Sequence, residues 1–102
     1  MPLLSYTTLD DDQTAKALAR KVVEAKLAAC VQIQPITSVY EWNGIQEEAE
    51  IRVMFKTSRA AYPKLKDLIL REHPYDEPAL WVVEIADGSE SFLNWIDATA
   101  TG

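Results

Sequence analysis

The sequence predicts a ferredoxin-like α+β sandwich, βαββαβ, with a long hairpin between its second and third strands and a short C-terminal helix. Three observations carry this. Two segments with helical apolar spacing, 13–28 and 62–73, are flanked by segments of strand character. Asn43-Gly44 sits between two long alternating arms. A short, nearly continuous apolar run, 79–85, follows the second helical segment. Such a split βαβ order implies a four-stranded antiparallel sheet in order 4-1-3-2, with two helices on one face.

The first strand is read from Leu3-Leu4-Ser5-Tyr6-Thr7-Thr8. Asp10, Asp11 and Asp12 then offer N-cap oxygens and first-turn carboxylates to a helix whose apolar face is Ala15, Leu18, Ala19, Val22 and Ala25. Cys30-Val31-Gln32-Ile33-Gln34 alternates as a strand does. Beyond Pro35 the apolar positions change parity, to Ile36, Tyr40 and Trp42, which predicts a β-bulge near the proline. Asn43-Gly44 predicts a two-residue type I′ turn, and the arm returns through Ile51 to Thr57. Arms of this length exceed the usual ~5–6 residues, so the hairpin should project beyond the sheet and offer open edges to other chains.

Ser58 is positioned to cap the second helix, Pro63 fits its first turn, and Pro74 stops it at His73. The run Ala79-Leu80-Trp81-Val82-Val83-Glu84-Ile85 suggests a strand covered on both faces. Ser89 opens a short helix over 90–97, and the tail 98–102 is expected to fray. The bare sheet face opposite the helices calls for a covering copy, hence an oligomer.

At 102 residues the chain is expected to form one domain, 1–102. Sixteen acidic against ten basic residues leave a net charge of -6, which excludes a basic nucleic-acid groove and disfavours anionic membrane surfaces. The apolar runs fall short of the ~20 residues of a membrane span, and the N-terminal stretch lacks the basic region of a signal peptide. A lone cysteine, Cys30, rules out an internal disulfide and suits a reducing, cytoplasmic setting.

The only histidine lies in Glu72-His73-Pro74-Tyr75-Asp76-Glu77-Pro78. An imidazole among carboxylates can contact a divalent cation, with His73 and Glu72 the first candidates. The same histidine can instead simply finish a helix. HExxH, paired-cysteine and glycine-rich phosphate signatures are absent. Cys30, in an apolar run, reads as a packed thiol rather than a nucleophile, and no catalytic residue stands out. Tyr40, Trp42 and Trp81 read as packing or subunit-contact residues, with an aromatic binding surface as the other reading.

Taken together, Leu27-Ala28-Ala29-Cys30-Val31, Thr37-Ser38-Val39-Tyr40-Glu41-Trp42-Asn43-Gly44 and His73-Pro74-Tyr75-Asp76-Glu77-Pro78 resemble the CutA divalent-cation-tolerance proteins, as does Phe92-Leu93-Asn94-Trp95-Ile96. The resemblance implies a homotrimer akin to the PII signalling proteins, no established reaction, and a part in the response to copper or another divalent cation. It also implies copper ligands at positions held here by Tyr6, Glu72 and His73. Relatives credited with copper binding carry a cysteine and two adjacent histidines there, so this chain keeps one imidazole and lacks the soft thiolate. Glu84 stands where many relatives have proline. The alternative that the resemblance leaves open is a PII-like signalling or adaptor module. Its subunit clefts would take a small anion or a partner segment, with Lys56, Tyr75 and Trp42 as walls.

Overall fold

A computed structural model describes residues 1–102. The element order is β1 (Leu3–Leu9), α1 (Asp12–Glu24), β2 (Cys30–Glu41), β3 (Ile45–Thr57), α2 (Tyr62–Glu72), β4 (Leu80–Glu84) and α3 (Glu90–Thr99). The strands form one antiparallel sheet in the order β2-β3-β1-β4, as the sequence predicts. Odd-numbered residues of β1 and β3 (Leu9, Val53, Phe55) meet Ala15, Leu18 and Val22 of α1 and Leu65, Leu68 and Ile69 of α2 in the core. The buried hydroxyls in this layer are paired: Thr57 Oγ1 donates to the Leu27 carbonyl at 2.7 Å and Ser58 Oγ to that of Ala100 at 2.6 Å.

Local chemistry sets the helix ends. The Asp11 carboxylate accepts from the N–H groups of Gln13 and Thr14 and from the Thr14 hydroxyl. These bonds hold the carboxyl below its ordinary value, the Thr14 hydroxyl contributing most. The helix ends at Glu24, not at Ala28. The Lys26 N–H bonds the Val23 carbonyl, the Leu27 N–H bonds that of Val22, and Lys26 takes φ +60°. This is a Schellman stop with lysine where glycine is usual, so the sequence carried no conspicuous sign of it. At α2, the N-cap position is Ala61, and Ser58 Oγ accepts from the Ala61 N–H one turn earlier.

The hairpin departs from expectation in two ways. Its register runs unbroken from Cys30↔Lys56 through Pro35↔Ile51 to Glu41↔Ile45, so there is no bulge at Pro35. The loop holds three residues, Trp42-Asn43-Gly44, rather than two. Asn43 and Gly44 take the expected positive φ, at +55° and +102°. The parity change has another cause. β1 ends at Leu9, opposite Ile51, so residues 36–50 form a free two-stranded ribbon beyond the helix layer. There the odd face loses its cover, and Ile36 and Tyr40 turn to the open face of the sheet.

Two further expectations are corrected. β4 is not covered on both faces: it is an edge strand, with Trp81, Val82 and Val83 about two-fifths exposed. The tail does not fray. α3 runs to Thr99, Ala100 is buried, and the Gly102 N–H donates to the Lys26 carbonyl at 2.9 Å.

Candidate functional site

His73 closes α2, and Pro74 forces it out of helical geometry, at φ -69° and ψ 132°. Its ring then folds back onto β1. Nδ1 accepts from the Tyr75 N–H at 3.2 Å, which fixes the other nitrogen as the protonated one. Nε2–H donates to the Thr8 carbonyl at 2.9 Å, one residue past the last β1–β4 pair. The ring also meets the Tyr75 ring edge-on, with centroids 4.7 Å apart. Both nitrogens of the histidine are thus committed within the chain.

Glu72 lines a small hollow with Lys21 and His73 but is engaged separately. Its Oε1 lies 2.7 Å from Lys21 Nζ on α1. This hydrogen-bonded ion pair holds the Glu72 carboxyl below its ordinary range. Tyr6, on β1, stacks on Trp81 at 5.2 Å, and the Arg52 guanidinium lies 5.9 Å from the centre of its ring. No three histidine, cysteine or acidic side chains gather as a metal cage. His73 and Glu72 therefore do not fit a tight metal site within one chain.

Cys30 is remote from His73. It pairs with Lys56, which pairs with Leu4, whereas His73 bonds Thr8. Two strand spacings, about 5 Å each, and four residues along β1, about 13 Å, lie between them. They form no dyad within the chain.

A cleft of about 820 Å³ opens between the ribbon, from Ile36 to Trp42, and the α2–β4 loop. Tyr75 and Trp42, which the alternative reading gives to clefts between subunits, are in the walls of this cleft within one chain. Lys56 is not: it lies at the other end of the sheet, bonded to Gln32. The aromatic residues named in the sequence as a possible binding surface, Tyr40, Trp42 and Trp81, all line it, whereas its acidic lining had no sequence signal. Tyr40 and Trp81 face the cleft, with the carboxylates of Glu48, Glu50, Asp76 and Glu77 and the single guanidinium of Arg52. The Tyr40 hydroxyl donates to Glu48, and this bond raises the phenol's pKa. Tyr75 is pushed up to about 12, first by burial and then by the charges of Asp10, Glu50 and Glu48.

The model of the family described as CutA1 divalent ion tolerance protein matches residues 3–99. A divalent-cation tolerance protein CutA of Thermus thermophilus is 38 % identical over 91 residues, 87 % of this chain and 88 % of its own length. The human protein CutA is 38 % identical over 94 residues, and the chain spans about half, 52 %, of its length. Among solved structures, the periplasmic CutA of Archaeoglobus fulgidus superposes with TM-score 0.92 at 34 % identity, over 98 % of this chain and 99 % of its own. A CutA of Nostoc sp. PCC 7120, described as PII-like and in apo form, gives 0.89 at 29 %, over 96 % of each chain. With the sheet order, the projecting hairpin and the His73-Pro74 turn in place, these matches show that the chain belongs to the CutA1 divalent ion tolerance family.

Proposed function

We propose that residues 1–102 act as one non-catalytic domain of a cytoplasmic homotrimer serving tolerance of copper or another divalent cation. The observation that carries the assembly is the apolar edge of β4, left uncovered in one chain beside a ribbon that overreaches the sheet. Neighbouring copies would cover both. The tolerance role rests on family membership. The lone, unpaired Cys30 supports the reducing compartment.

Direct cation contact, placed at His73 and Glu72, is weak in this reading. A cation on His73 has to displace the Tyr75 N–H from Nδ1 or the Thr8 carbonyl from Nε2–H, and one on Glu72 competes with Lys21. Calorimetric titration with Cu(II) tests this. Binding should be weak and should fall further in His73→Ala and Glu72→Gln. Tight binding, or identical isotherms for all three proteins, rejects the assignment.

One observation favours a second reading, a PII-like module that takes a small ligand. This is the cleft between the ribbon and the α2–β4 loop, whose volume falls within the range of small-molecule sites, about 300–1,000 Å³. A ligand-dependent thermal shift abolished by Trp42→Ala supports it. No shift with any small molecule removes it.

A further inference from the structure

We propose that Asp87, in the connection from β4 to α3, is a site of self-modification, where the chain converts aspartate to isoaspartate without an enzyme. The observation that carries this is the bond from the Gly88 N–H to Oδ1 of Asp87, the residue just before it, at 2.8 Å.

The reaction joins two groups one residue apart. The Gly88 amide nitrogen attacks Cγ of the protonated Asp87 carboxyl. An N–Cγ bond forms, the amide gives up its proton, and one carboxyl oxygen leaves as water. The product is a cyclic imide. Water then opens the ring at either carbonyl. Attack at Cγ restores aspartate. Attack at the main-chain carbonyl breaks its bond to the Gly88 nitrogen, and the chain now runs through Cβ and Cγ. One water leaves and one enters, so the mass is unchanged.

Three features of the fold favour the step. First, Oδ1 is carried on Cγ, so its bond to the Gly88 nitrogen holds nucleophile and target near the attack separation of ~3–3.5 Å. Second, Asp87 is the only aspartate followed by glycine, and glycine has no Cβ to crowd that approach. Third, residues 85–89 belong to no helix or strand, and Asp87 and Gly88 are exposed. The flanking main-chain bonds lie outside the pair, from the Ile85 N–H to the Pro2 carbonyl and from the Leu93 N–H to the Ser89 carbonyl. The Asn43-Gly44 turn lacks the first feature, because its Gly44 N–H donates to the Glu41 carboxylate at 3.0 Å. The Asp87 step uses neither the open sheet face nor the ribbon, the surfaces that neighbouring copies would cover, and its only reactant from outside is water.

The test ages the full-length protein in ¹⁸O-water at mildly acidic pH. Proteolytic peptides are then separated and fragmented by electron transfer, which distinguishes isoaspartate from aspartate. Isoaspartate at Asp87 should accumulate and carry one ¹⁸O. A synthetic peptide of residues 82–92 is the unstructured reference, and the native protein should convert at least as fast as the peptide, because the fold sets the approach in advance. Gly88→Ala should slow conversion about tenfold, as its methyl group crowds the nitrogen, and Asp87→Glu should abolish it. A Cβ at position 88 meets only the Leu93 side chain, at 3.4 Å or more, so the alanine variant fits the packing, and circular dichroism checks both variants. A native rate below that of the peptide overturns the proposal, whether the loop or the assembly guards the site. So does an unchanged rate in Gly88→Ala, or the absence of isoaspartate at Asp87.

Discussion

The imidazole of His73 donates from Nε2 to the carbonyl of Thr8, 2.9 Å away, while its Nδ1 receives the N–H of Tyr75. One side chain thereby ties the end of α2 and the start of the following loop to the rim of the sheet. Replacing it with alanine leaves a carbonyl of buried Thr8 and the Tyr75 N–H without their partner. We expect His73→Ala to lose about 1–3 kcal/mol of unfolding free energy in urea melts. Nitrogen NMR of the ring should show the proton on Nε2 with Nδ1 as the acceptor. The opposite tautomer contradicts this bond pattern.

The Glu72–Lys21 pair ties α2 to α1, and its pH dependence has a defined sign. Glu72 is held below its ordinary value of 4.5 by the Lys21 ammonium. A carboxyl with a depressed folded pKa contributes stability that is fully present above the unfolded value and lost as pH falls through the folded one. Acid titration of stability should therefore show a decline starting near the ordinary carboxylate range. That decline should be shallower in Glu72→Gln, by an amount that shrinks with added salt because the pair is exposed. An unchanged slope refutes the linkage.

Lys26 sits at φ +60° where the α1 Schellman stop favours glycine. Lys26→Gly keeps both capping bonds and relieves the crowding of Cβ, but loosens the unfolded chain. We expect a net gain of about 0.5–1 kcal/mol in chemical unfolding. A loss comparable to that of glycine in a helix interior contradicts the left-handed assignment.

If copies cover the open sheet face, a charge placed there should break the assembly. Val83 pairs with Leu4 on that face and is 43 % exposed in the single chain. Sedimentation should give three times the chain mass for the wild-type sequence and a smaller species for Val83→Asp. The same variant should melt at lower temperature, and its melting point should rise with protein concentration. A wild-type monomer at micromolar concentration overturns the trimer.

The sheet order and the existence of every element were legible because each has its own local signal: Asp11 before an amphipathic run, Asn43-Gly44 between alternating arms, Pro74 after Leu68 and Ile69. What local signals do not carry is which face each neighbour covers. The shift from Val31 and Ile33 to Ile36 and Tyr40 reads as a bulge only if one layer covers the whole strand. It comes instead from the end of that layer. The same limit hid the cleft, because Glu50, Asp76 and Trp81 come together only through the β1–β3 and β1–β4 registers. His73 was visible as a helix terminator, but its bond to Thr8 joins residues 65 positions apart.

The unbroken pairing of the ribbon separates reach from stability. Because residues 36–50 leave the core behind at Ile51, the distance from sheet to tip is a length that can be changed on its own. Removing or adding two residues in each arm shifts the tip by about 7 Å and keeps every side chain on its present face. The protein thus carries a ruler whose graduations are residue pairs, and lengthening it repositions Trp42 and Ile45 while the hydrophobic interior stays as it is.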